Sequence, residues 1–186
     1  MKTLNEGVFL RQSVDYKSLL FYKKTLVLYD MTYFFKEHYL QRGDRTQDQM
    51  EQAARSGKQN IVEGLSDGMT SLEMEVKLLN VARSSLRELQ EDYEDYLRVH
   101  GLNQWDKNHP RYEKMVRYCY SHHEPEQYMK YAEQWSEEEF CNVALTLIHQ
   151  ADRGLITYLS KVETTFLAEG GIKEQMSVAR RNARGY

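Results

Sequence analysis

The chain has 186 residues, 41% hydrophobic and 28% charged, with a net charge of −3. That length carries one domain with its own core, the mild acidity argues against general coating of polyanions, and two cysteines, Cys119 and Cys141, make neither a disulfide framework nor a zinc-finger set. Scarce chain-breakers, 2 Pro and 10 Gly, favour long helices over a many-turned sheet protein.

The segment 1–13 has no apolar signal core and reads as an N-terminal arm. A first helix is expected from about Val14 to Gln41. Leu19, Leu26, Tyr33 and Leu40 recur every seven residues, Tyr22 and Tyr29 fall three places after the first two, and Leu20, Val27 and Phe34 widen the stripe. Arg42-Gly43-Asp44 breaks it. Thr46-x-x-Gln49 reads as a capping box opening a second helix, with Met50, Ala54, Gly57 and Ile61 on one face. The small residues Ala53, Ala54, Ser56 and Gly57 would let a neighbouring backbone come close, and Gly64 and Gly68 punctuate the end.

Thr70-x-x-Glu73 reads as the next capping box. The third helix has the clearest period: Leu72, Leu79, Leu86 and Tyr93 at sevens, with Ala82, Leu89 and Tyr96 three places after the last three, and Gly101 as its stop. Residues 102–135 read as a helical insertion of irregular pattern, rich in Tyr and Glu, with short helices over Arg111–Ser121 and Glu124–Gln134. Ser136-x-x-Glu139 caps the last long helix, whose apolar positions are Phe140, Val143, Ala144, Leu147, Ile148, Ala151, Leu155, Leu159, Val162 and Phe166. Gly154 inside that pattern predicts close packing against another helix, because an interior Gly costs about 1 kcal/mol relative to Ala. Four long amphipathic helices with short connections predict an all-α antiparallel up-and-down four-helix bundle over 14–168, followed by a basic suffix over 169–186.

Gln49, Ala53-Ala54, Ser56, Asn60-Ile61 and Glu63-Gly64, running into a helix with Ser71, Glu73 and Leu86-x-x-Leu89, resemble the four-helix-bundle family of the 23S-rRNA intervening-sequence proteins. Leu145-Thr146-Leu147-Ile148 through Leu155, Leu159 and Phe166 fits the same resemblance, and the tail resembles a subgroup with an extra C-terminal suffix segment. The resemblance implies a homopentameric barrel. It also implies a relative, the accessory variability determinant of diversity-generating retroelements, which binds nucleic acid and a reverse transcriptase. That relative is strongly basic, whereas this chain is mildly acidic.

Independently of any family, Asn60 and Glu63 lie one helical turn apart, and a buried pair of that kind predicts a polar clasp at a helix end, with Gly64 as the stop. None of the six histidines follows a Glu by three places, so the Glu-x-x-His motif of di-iron bundles is missing, as are His-Glu-x-x-His, phosphate-cradling glycine loops and Cys-x-x-Cys. His122-His123 reads as a solvated loop, and His149 as a hydrogen-bonded core or interface histidine.

No catalytic group, metal site or cofactor is therefore expected. The expected function is a non-enzymatic oligomeric adaptor in the cytoplasm, whose partners are further copies of itself or another protein, with no membrane. Tyr112, Tyr118, Tyr120, Tyr128 and Tyr131 seal the insertion against the bundle in one reading and form a partner-binding face in the other. The alternative function is nucleic-acid binding through Lys173, Arg180, Arg181 and Arg184, with Arg55, Lys58 and Arg83 as further contacts if they share one surface, although the net charge disfavours it.

Overall fold

The computed structural model describes residues 14–67, 71–169, 177–178, 180–181 and 184. The arm 1–13, Gly68, Thr70 and Lys173 lie outside the described residues. Among the described residues the protein is all-α, and six helices pack together: α1 (Leu20–His38), α2 (Arg45–Asp67), α3 (Leu72–Val99), α4 (Tyr112–Ser121), α5 (Pro125–Ala132) and α6 (Glu137–Glu169). Among the described residues there is no strand, and no helix is long and apolar enough to cross a membrane. The four long helices meet in cyclic order, α1 on α2, α2 on α3, α3 on α6 and α6 on α1, while α5 lies on α1 and α4 on α6.

The helix ends follow local chemistry. The first helix is shorter than its pattern predicts: a 3₁₀ turn over Tyr16–Ser18 precedes it, and it stops at His38. The cap of α2 is Asp44, whose Oδ1 accepts from the Thr46 backbone N–H at 2.9 Å; Thr46 already lies inside the helix, so the expected Thr46/Gln49 box is absent. Instead, the Gln47 amide donates to the carbonyls of Lys36 and Leu40 and ties α2 to the end of α1. Ser71 caps α3, accepting from the Met74 N–H. Gly101 does stop it: at φ +66° it sits in the left-handed region, and Leu102 N–H returns to the Leu97 carbonyl as the closing bond. Glu124 and Gln127 form a capping box before Pro125 on α5, and Ser136 accepts from Glu139 N–H at the start of α6.

On α3 and α6 the predicted stripes are the buried ones, apart from Phe166, which is exposed at the far end of α6. On α1 the stripe is offset. Phe21, Leu28 and Phe35 repeat at seven and are buried with Lys24, Thr25, Val27, Met31 and Thr32, whereas Leu20 and Tyr33 face outwards and Leu19, Tyr22, Leu26, Tyr29 and Leu40 are half-buried. Phe35 is enclosed by Tyr39, Tyr93, Tyr96 and Phe140 with ring centroids 4.8–5.6 Å away. Gly154 meets Phe21 so closely that an added Cβ would stand 2.8 Å from the Phe21 Cβ, which accounts for the glycine.

Candidate functional site

The sequence motif on α2 is a packing device. Ala53 and Ala54 are buried, and a Cβ on Gly57 or Gly64 would come within 3.2 Å of Leu86 or Leu78 on α3. Gly64 is therefore interior and does not stop the helix, which continues to Asp67. The expected Asn60–Glu63 clasp does not form. Asn60 donates back to the Ser56 carbonyl at 2.8 Å and lies 3.1 Å from the Ser56 hydroxyl, which accepts from Ser85 on α3 at 3.0 Å. Glu63 is exposed and accepts from Gln59, and Gln49 is exposed too.

Gln49, Gln52, Ala53 and Ser56 line one side of a groove of about 670 Å³ between α2 and α3, whose rim carries Asp48, Glu88, Glu91, Asp92 and Asp95. Burial, together with Asp95, Glu88 and Glu91, raises the Asp92 carboxyl to about 6. Among the described residues no group of three or more His, Cys, Asp or Glu is placed to hold a metal ion.

Lys58 and Arg83 are directed to different neighbouring helices. Lys58 lies over the Tyr29 ring at 4.0 Å, on the α1–α2 side, and Arg55 is exposed. Arg83 is directed to α6, where its Nε donates to Asp152 at 2.7 Å. Arg180, Arg181 and Arg184 are helical and exposed.

The insertion holds the features that sequence reasoning missed. Lys24, 3% exposed, points from α1 into the C-terminal end of α4, where its ammonium donates to the carbonyls of Cys119 and His122. The free carbonyls of a helix end carry partial negative charge, so a cation there is favourable. Burial lowers the Lys24 ammonium to about 8 and pushes the Cys119 thiol up to about 12, so this thiol stays protonated at neutral pH. Cys119 and Cys141 are both free and buried. Tyr128 OH donates to the same His122 carbonyl at 2.9 Å.

His122 and His123 are half-buried rather than fully solvated. The His122 ring stacks on Tyr118 at 3.8 Å, and the half-buried His123 has an Nδ1 that is buried without a hydrogen-bond partner. Burial, with Lys24 and Lys23 nearby, lowers the His123 imidazole below its ordinary value. His149 is exposed rather than in the core. It lines a cavity of about 440 Å³ between α4 and α6, next to Gln150, whose carboxamide O and N are both buried and unpartnered.

On the other side of Trp105 and Met115 is a second cavity of about 510 Å³, lined by Trp105, Arg111, Lys114, Met115, Tyr118, Tyr131, Trp135, Glu139 and Val143. Trp105 is fixed at both ends: its indole N–H donates to Glu138 at 2.7 Å and its backbone N–H to the Asn142 side chain at 2.6 Å. Hydrogen bonds from Asn103 N–H and from the indole hold the Glu138 carboxyl below its ordinary range. Of the five insertion tyrosines, Tyr128 is buried, Tyr112 and Tyr118 are half-buried, and Tyr120 and Tyr131 are exposed. The rings thus seal the insertion and also leave part of their surface open.

No family model, no curated protein and no solved structure matches this chain.

Proposed function

We propose that the chain is a non-enzymatic helical adaptor that works as a homo-oligomer in the cytoplasm, a pentamer as the resemblance to the four-helix-bundle family of the 23S-rRNA intervening-sequence proteins implies. In this reading α1, α2, α3 and α6 form an antiparallel up-and-down four-helix bundle with α4 and α5 as its insertion. Contacts between opposite ends of neighbouring helices support it: Lys36 with Glu51, Gly64 with Leu78, Tyr96 with Glu137, Tyr158 with Glu75, and Phe35 with Phe140.

The observation that carries the oligomer is uncovered apolar surface along the second half of α6. Ile156, Phe166 and Leu167 are 45%, 41% and 83% exposed, the last two beyond Val162, the final buried position of the helix. Several copies joined there would repeat one weak partner site and gain avidity without new contacts. Light scattering tests the reading: a particle of five times 22.1 kDa is expected, and Leu167→Glu should shift it towards smaller species. A monomer for the unaltered chain ends the proposal.

Nucleic-acid binding is the second reading, supported by the exposed side chains of Arg180, Arg181 and Arg184. It requires binding to RNA or duplex DNA that weakens steeply with salt. No binding at low salt removes it.

A further inference from the structure

We propose that the cavity bounded by α4, α5 and the start of α6 binds a small planar aromatic molecule carrying a negative charge. Its volume of about 510 Å³ lies within the roughly 300–1,000 Å³ typical of small-molecule sites. Four aromatic side chains wall it, Trp105, Tyr118, Tyr131 and Trp135, over an apolar floor of the buried Met115 and Val143. An aromatic ligand gains most from such walls, since ring faces and edges attract one another beyond the area they bury.

Two of the four walls, Trp105 and Tyr118, are fixed in advance, and Trp135 is anchored through its backbone. Trp105 is held by Glu138 and Asn142, Tyr118 OH donates to the Gln127 carbonyl at 2.5 Å, and the Trp135 carbonyl accepts from Tyr39 at 3.2 Å. Little ordering is left to oppose binding. His122 covers one face of Tyr118 and His109 one face of Trp105, at 3.8 and 4.0 Å, while the wall rings themselves stand 6.3–6.4 Å apart and leave room between them.

The charge at the rim selects the sign. Similar aromatic boxes take up ammonium groups when a carboxylate stands free beside them. Here Glu139, the one acid among the lining residues, is neutralised by Arg111 at 2.9 Å. Lys114 is exposed and makes no ion pair among the described residues. Lys130, over the Tyr131 ring at 4.7 Å, adds a further positive charge next to the site. Glu138, engaged by the Trp105 indole N–H, offsets one of these charges, and Lys114 is the cation that an aromatic anion would satisfy while lying on the rings.

The two tryptophans of the chain, Trp105 and Trp135, both line the cavity, so their two indole N–H resonances report on it directly. We would titrate the full chain with AMP and with 2-naphthoate, using adenosine and inorganic phosphate as controls. At least one of the two aromatic anions should move both indole signals saturably with a Kd of about 1 mM or tighter. The controls should bind more weakly, and which anion succeeds tells a nucleotide from an aromatic acid. Lys114→Glu should weaken that binding roughly fivefold, the effect of one surface charge, without lowering the melting temperature. Silence of both signals at about 5 mM of either anion, equal binding of adenosine, or an unchanged affinity in Lys114→Glu would each overturn the proposal.

Discussion

Along α2 and α3 two helices approach through missing side chains: Gly57 and Gly64 lie against Leu86 and Leu78, and the one polar bridge at their centre is Ser56 to Ser85. The insertion meets α1 the other way, through the Tyr39 hydroxyl on the Trp135 carbonyl and one buried ammonium that closes the end of α4. The first seam opens outwards into an acidic groove, and the insertion beside the second holds an aromatic cavity with a positive rim. A seam of small residues depends on backbone distance along its whole length. The insertion's seam rests on a few discrete polar contacts, Lys24 with the Cys119 and His122 carbonyls, Lys23 with Glu124 and Tyr39 with the Trp135 carbonyl, and can therefore fail locally.

Lys24→Met tests that difference most strongly. Methionine restores most of the apolar bulk but leaves the buried Cys119 carbonyl without its donor, while Tyr128 still serves His122. A buried unpaired carbonyl costs about 1–3 kcal/mol, and removing a costly buried charge offsets part of that, so a loss of about 2 kcal/mol is expected. Hydrogen exchange should accelerate over α4 and α5 while α2 and α3 keep their protection. A variant as stable as the parent would mean that desolvation of the ammonium outweighs the capping.

That lysine also marks where the sequence stops being legible. The α3 stripe could be read because the rest of the helix is polar; Leu79, Leu86, Leu89 and Tyr93 are fully buried or nearly so. α1 is apolar on several sides, so periodicity alone picked a neighbouring register, with Tyr33 in and Lys24 out. The true register is set by residues about a hundred positions away, since it takes the end of α4 to make a buried lysine favourable. Gly154 was readable as a close approach, though not its partner Phe21. The aromatic cavity was not readable at all: its walls come from three separate stretches without a common period, and the available signal was the density of Trp and Tyr between 105 and 135. Asn60 and Glu63 misled because one helical turn of spacing says nothing about which of the two is buried.

A smaller effect sharpens the account of the α2–α3 seam. A Cβ at Gly57 would press 3.2 Å from the Cδ2 of Leu86, the far end of a side chain that can swing away. At Gly64 it would meet the Cβ of Leu78 at 3.2 Å and the backbone carbonyl of Glu75 at 3.4 Å, which cannot. Both replacements gain about 1 kcal/mol of helix propensity. Gly57→Ala should therefore be neutral or stabilising by up to about 1 kcal/mol, and Gly64→Ala destabilising by about 1 kcal/mol once the backbone has shifted. Urea unfolding of the pair measures the contrast, and equal stabilities would show that α2 can slide on α3.

The smallest effect concerns charge alone. Asp92 is raised to about 6 in the folded chain, by burial first and then by Asp95, Glu88 and Glu91. A carboxyl whose folded value exceeds its unfolded value contributes stability that is complete below the unfolded value, near 3.8, and is lost as pH rises through the folded one. At neutral pH the ionised Asp92 therefore works against the fold. Asp92→Asn should stabilise the protein at pH 7.5 by on the order of 1 kcal/mol, discounted from the full shift because water screens the open groove. The gain should shrink with added salt, which screens the neighbouring carboxylates, and vanish below about pH 4, where the aspartate is already protonated in both states. A gain that persists at low pH would assign the effect to hydrogen bonding by the new amide rather than to relief of the buried charge and of its repulsion by Asp95, Glu88 and Glu91 along α3.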